Sequence, residues 1–242
     1  MPVMDEFKEQ RDAMKNKPLK ELLDHFWYYH KWYIISGAVA ILFVIILIHS
    51  VLSGKETAFC AVITDVDVHG DEQQLIDDFA AYSTIDLNTY DVAFESSIYF
   101  INGNYQSPTK ITAMLSNESI DTLSFATEYF EKYAYNGTFL DLSTCMTQEE
   151  LDDYAGRIFY IDQKLIEENE AHNMDEDYEY QYAKEPLNPD SMVSPVPVGI
   201  LISDSDTLKD IYSFVDTSYI GIPCNANHTD NAVAFIKFIH NN

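Results

Sequence analysis

Residues able to bind a metal or move a proton are plentiful in this chain, but few are spaced for it. The run Asp65-Val66-Asp67-Val68-His69-Gly70-Asp71 opens like a calcium loop, with acids at positions one and three and glycine at six. Such a loop needs an oxygen donor at position five and a bidentate glutamate at twelve, where this chain has His69 and Ile76. The stretch reads instead as a strand-to-helix turn in which Asp71 starts the helix. Asp175-Glu176-Asp177-Tyr178-Glu179-Tyr180 is the densest acidic patch. Weak calcium binding there needs a shaped loop to converge the carboxylates, and the plainer reading is a solvated polar loop.

Cys60, Cys145 and Cys224 are odd in number and lack paired spacing, which excludes a disulfide-stapled scaffold and a cysteine zinc site. His69, His172, His228 and His240 stand apart from any serine or cysteine phrase, and no Gly-x-Ser-x-Gly elbow is present. His25 and His30 lack a partner at metal-ligand spacing. No catalytic residue, metal ligand or cofactor is therefore assigned. Asn117, Asn136 and Asn227 head Asn-x-Ser/Thr sequons, which matter only in a secretory-pathway host.

The remaining candidates are small polar or acidic residues just past apolar runs: Thr64 and Asp65, Ser124 and Thr127, Ser203 and Asp204. An α/β sheet binds ligands at the carboxyl ends of its strands, near the switch in strand order, and these six positions fall there. Each also has a plainer reading as a helix cap or turn residue.

The elements that must position them follow from periodicity. Phe59 to Ile63 reads as a compact apolar strand, Asp71 to Tyr82 as a helix, and Asp91 to Ile101 as an alternating strand. Ser107 reads as a cap with Pro108 at the first position of the next helix, before a third strand over Ile120 to Phe125. Thr127 to Tyr135 is helical, stopped at Asn136-Gly137. Phe139 to Leu142 is a short extended piece, Thr147 with Glu150 forms a capping box, and Arg157 to Ile161 returns as a strand. Residues 166–195 read as a helix end and a mobile acidic loop, and Val196 to Ser203 as a strong strand. Leu208, Ile211, Tyr212 and Val215 mark a helix, Tyr219 to Ile222 a last strand, and Ala232 to Ile239 a closing helix. This alternation predicts an α/β domain with a mainly parallel sheet covered on both faces, in three layers.

Ahead of it lies an uninterrupted apolar run, Ile34 to Leu52, with no charge inside it. Its 19 residues, at about 1.5 Å each, are long enough to cross a bilayer core of about 30 Å. Six of the chain's 14 basic residues precede it, which favours a cytoplasmic N-terminus and an extracytoplasmic remainder at the cell membrane. Phe26, Trp27, Tyr28, Tyr29, Trp32 and Tyr33 fit an interfacial aromatic belt. A cleaved signal peptide is the main rival, but its apolar core is usually about 7–15 residues and its leader short. The division is a leader over 1–33, a transmembrane helix over 34–52, a linker over 53–57 and an outer domain over 58–242. The leader reads as a juxtamembrane amphipathic helix from Pro18, lying on the lipid or entering it as a rod. Beyond the run, 8 basic residues face 34 acidic ones, so this region carries the whole net charge of −26. Such a surface repels nucleic acid and anionic headgroups, and tolerates cations and basic partners.

Ile120-Asp121-Thr122-Leu123-Ser124-Phe125-Ala126, Phe130, Ala134, Asn136-Gly137 and Phe139-Leu140-Asp141-Leu142 resemble a stretch of the extracellular solute-binding proteins of ABC importers, with their type 2 periplasmic-binding-protein-like fold. Tyr219-Ile220-Gly221-Ile222-Pro223, then Asn225, Asn227 and the Ala232 to Phe238 helix, resemble that family's late strand and helix. The resemblance implies one lobe of such a protein plus a shortened second lobe, an extracytoplasmic setting and ligand capture. The chain departs from the family in leaving little room between Leu142 and Val196 for a second lobe, and in its permanent anchor. Two functions follow: a non-catalytic binding or interaction module that serves other membrane proteins, or the tethered receptor of an importer for a small or cationic ligand of unknown identity. An extracytoplasmic enzyme of unknown class is the third.

Overall fold

The structure, a computed structural model, describes residues 19–52, 54–101, 106–172 and 178–240. The expectations for the leader before Leu19, Ser53 of the linker and Asp175-Glu176-Asp177 lie outside those residues. The chain divides into two compact units, Met1–Gly54 and Lys55–Asn242. The first contains one continuous helix, α1 (Leu19–Leu52), of 34 residues. Its window His30–Leu47 is long and apolar enough to cross a membrane, and none of it is buried within the protein.

The second unit holds a six-stranded sheet. In chain order its elements are β1 (Glu56–Ile63), β2 (Val66–Val68), α2 (Glu72–Ser83), β3 (Tyr90–Glu95), α3 (Gln106–Ser116), β4 (Thr122–Ala126), α4 (Thr127–Tyr135), α5 (Gln148–Asp152), β5 (Ile158–Asp162), α6 (Gln163–Ala171), β6 (Pro195–Leu201), α7 (Asp206–Lys209), β7 (Tyr212–Phe214), β8 (Ser218–Gly221) and α8 (Thr229–His240). The large sheet runs β3-β1-β4-β8-β6-β5, and β2 pairs with β7 in a separate two-stranded sheet.

Local signals set most helix ends. The Asp71 carboxylate accepts the Gln73 and Gln74 N–H groups at 3.0 and 3.4 Å, and Thr147 and Glu150 form the reciprocal capping box. Gly137 takes φ 72° just after α4. From Ala58 onward β1 is buried, as a strand covered on both faces must be. Phe59, Ala61 and Ile63 face α2 and α8, where the rings of Phe59, Phe79 and Phe235 meet at centroid distances of 4.8–5.2 Å. Val62, Leu123, Phe125 and Phe159 face α3, α4 and α6. A bulge in β6 shifts the register between Phe159 and Tyr160, which is why Val198 and Ile200, two residues apart, reach opposite cores. The bulge brings Gly199 against the Phe130 ring, leaving no room for a Cβ.

Four expectations are corrected. The sheet is mixed: β1 is parallel to β3 and β4, whereas β4–β8, β8–β6 and β6–β5 are antiparallel. Residues 202–217, which join β6 to β8, form the one-turn α7 and then β7, paired with β2 in the small sheet, instead of the covering helix that a parallel crossover uses. The helix expected over Leu208 to Val215 is that short helix followed by a strand, because so brief an apolar spacing suits either. The strand expected to reach Ile101 stops at Glu95. Ser107 does not cap: it lies within α3, buried, and donates to the Tyr99 carbonyl at 2.7 Å.

Between Leu142 and Pro195 the described residues supply α5, β5 and α6 to the same sheet rather than a second lobe. The described part of the acidic stretch is fastened by Asn169, whose amide bonds Gln181 twice, at 2.9 Å each, and the Tyr178 hydroxyl at 3.0 Å. Gly199→Ala is expected to destabilise the protein by about 1–3 kcal/mol through overpacking, read as a lower urea midpoint at unchanged m value; an unchanged midpoint would contradict this packing.

Candidate functional site

The order of strands reverses at β1, which has β3 on one side and β4 on the other, so the crevice between the carboxyl ends of β1 and β4 is where an α/β sheet takes a ligand. Thr64, Asp65 and Ser124 meet there. The Thr64 hydroxyl donates to the Ser124 carbonyl at 2.9 Å and to Asp65 Oδ2 at 3.2 Å. Asp65 is buried in a left-handed conformation, φ 56°, sparsely populated by non-glycine residues but tolerated by aspartate. Its Oδ1 accepts the Phe100 and Ile101 N–H groups at 2.6 and 2.9 Å, while its own N–H donates to the Ile98 carbonyl at 3.0 Å and its carbonyl accepts Val215 N–H at 3.1 Å.

The crevice is thus filled by the protein itself. The strap Ser96–Ile101, which sequence periodicity assigned to the second strand, lies across it. Ile98 and Phe100 bury their side chains in the core, with Phe100 edge-on to Phe125 at 5.0 Å. Tyr99 donates to the Val66 carbonyl at 2.8 Å, tying the strap to the small sheet. Asp65 acts as a clamp on backbone amides, so its carboxylate has no oxygen turned to solvent for a ligand.

The other candidates do not join this cluster in a common pocket. Thr127 bonds the Thr217 carbonyl through both its N–H and its hydroxyl, at 2.9 and 3.1 Å. Ser203 accepts Ser218 N–H at 3.2 Å, and Asp204 Oδ2 pairs with Arg157 Nε at 3.0 Å. Ser124 Oγ, Thr122 Oγ1 and Asp204 Oδ1 are buried without a hydrogen-bond partner. A buried hydroxyl without a partner carries its desolvation cost uncompensated.

Two polar centres had weaker sequence signals. Asp121, an acid at the mouth of an apolar strand, accepts Cys60 N–H and His228 N–H at 2.8 Å each and lies 3.2 Å from His228 Nδ1. A carboxylate beside a half-exposed histidine resembles the orienting half of a nucleophilic triad. The thiol of Cys60, the residue whose N–H Asp121 accepts, cannot complete it: burial, then the charges of Asp121 and Glu95, push it up to about 11, which leaves it protonated at neutral pH. Glu72 Oε1 accepts the hydroxyls of Ser96 and Tyr212 at 2.7 and 2.8 Å, fastening α2 to the strap and to β7.

Among the described residues no three of His, Cys, Asp and Glu converge on a metal position. Among the described residues, open clefts of about 330, 360 and 390 Å³ have linings that include none of the six candidates. The cleft of about 390 Å³ lies by Asp162, Tyr182 and Met192, at the end of the sheet opposite the crevice because β5 runs antiparallel to its neighbour. Asp162 is itself a clamp: burial raises its pKa, but bonds from Val193, Ser194 and Lys164 N–H outweigh that and leave it below the ordinary value. In the cleft by Tyr154 and Arg157, Glu150 is lowered to about 2, chiefly by Lys237 and then by Thr147. Comparison with protein-family models, curated proteins and solved structures found no match to this chain.

Two outcomes follow. Asp65→Ala is expected to cost about 3 kcal/mol in urea unfolding and Asp65→Asn less, whereas Ser124→Ala is neutral or stabilising by up to about 1 kcal/mol; equal effects at both sites would contradict the clamp. Both lowered carboxyls stabilise above their ordinary pKa values, and that stability is lost as pH falls through the lowered ones. For Glu150 the window runs from the ordinary 4.5 to about 2. Glu150→Gln is expected to flatten the stability profile there, and an unchanged profile would refute the linkage.

Proposed function

We propose that this chain is a single-pass membrane protein with residues 1–33 in the cytoplasm, an anchor over 34–52 and an extracytoplasmic acidic domain over 58–242. That domain is a non-catalytic binding or interaction module, shaped like one lobe of a solute-binding protein. The observation that supports this most is the apolar window His30–Leu47, none of which is covered by the rest of the chain. A stretch of that length gains from transfer to hydrocarbon what it loses in water.

The partners suited to the domain are other membrane proteins, a transporter among them, that present basic surface. With 34 acidic and 8 basic residues beyond the anchor, its field steers cations inward and turns nucleic acid away. An interaction module is preferred to an importer receptor because the strand-end crevice is occupied by Ser96–Ile101, and the described residues after Leu142 extend the same sheet instead of building a facing lobe. It is preferred to an enzyme because Cys60, the thiol-bearing residue bonded to Asp121 of the Asp121–His228 pair, is held protonated by burial.

The test uses the three cysteines, of which Cys60 is buried and Cys224 exposed. The full-length chain is expected to stay with membranes through alkaline carbonate washing, and Cys224 to react with a membrane-impermeant maleimide in intact cells, with Cys224→Ser removing most of that label. Release by carbonate, or labelling only after permeabilisation, would sink the reading.

A further inference from the structure

We infer that Phe26, Trp27, Tyr28, Trp32 and Tyr33 form a closed aromatic collar seated in the lipid headgroup layer, so that α1 enters the membrane upright instead of lying along its surface. The inference rests on the membrane-anchor reading above. All five side chains are exposed, by 52–77%. At about 100° per residue they point to about 0°, 100°, 200°, 240° and 340° around the axis, leaving no arc wider than about 100° without a ring. A helix lying in the interface needs one apolar and one polar face, and this segment has no aromatic-free side to turn to water. The five rings occupy only about 10 Å along the axis, which suits an interfacial layer crossed end-on. Lys31 Nζ lies 5.5 Å from the Tyr28 ring centroid, which places a cation at the same level, as a headgroup layer accepts.

Trp27 and Trp32 are the chain's only tryptophans, so tryptophan fluorescence, excited at the red edge where tyrosine does not absorb, reports the collar alone. Full-length Trp27→Phe and Trp32→Phe variants, each retaining one tryptophan, are reconstituted in phosphatidylcholine vesicles carrying lipids brominated at defined acyl positions. In an upright helix Trp32 reads about 7 Å deeper than Trp27, and both are similarly shielded from aqueous iodide. Equal depths, with one tryptophan open to iodide, would show a surface-lying helix and overturn the collar while leaving membrane attachment intact, since the two rings face about 140° apart. Trp27 reading deeper would overturn it too. Quenching of neither by any brominated lipid would overturn the anchor reading itself.

Discussion

Buried carboxylates held by backbone amides are what the α/β domain is built around. Asp65, Asp121 and Asp162 are 1%, 3% and 5% exposed, and each stands at a strand end. Taking a carboxylate out of water costs several kcal/mol unless hydrogen bonds or a cation compensate it. With 8 basic residues against 34 acidic ones beyond the apolar helix, cations are scarce, and the compensation comes from N–H groups. Asp65 takes those of Phe100 and Ile101, Asp121 those of Cys60 and His228, and Asp162 those of Val193 and Ser194. Each acid therefore fixes a segment remote in sequence, and the three together hold the strap, the start of the last helix and the entry to β6.

The same arrangement sets a cost on opening the crevice to a ligand. A ligand entering it must displace two amides from Asp65 and lift Ile98 and Phe100 out of the core. The apolar side chains alone oppose that by about 1.5–3 kcal/mol each. Small-molecule affinity won against such a cost would be modest. A broad acidic exterior pays no such penalty when it meets a basic surface, and its long-range field acts before contact.

Features written into adjacent residues were legible in the sequence; those set by distant segments were not. The Asp71 cap, the Thr147–Glu150 box and the Gly137 stop each depend on a few consecutive residues, and the structure has all three. Strand direction depends on how the chain travels between strands, so the antiparallel half of the sheet had no local mark. Thr64, Asp65 and Ser124 were placed at one strand-end crevice by position alone, but nothing in Ser96–Ile101 announced that it would close over them. Asp121 was visible only as a charge out of place beside an apolar strand. Its partners, Cys60 and His228, lie 61 and 107 residues away.

The small β2–β7 sheet pairs Val66–Val68 with Tyr212–Phe214, and β4 receives its second neighbour only when β8 arrives. The earliest strands of the domain are thus completed by some of its latest residues. A chain emerging N-terminus first has no closed sheet to fold into until nearly all of it has been made, and pairings of such long sequence separation are slow to form. Through most of its synthesis the domain is an open sheet edge, a state in which order of arrival governs success as much as final stability does.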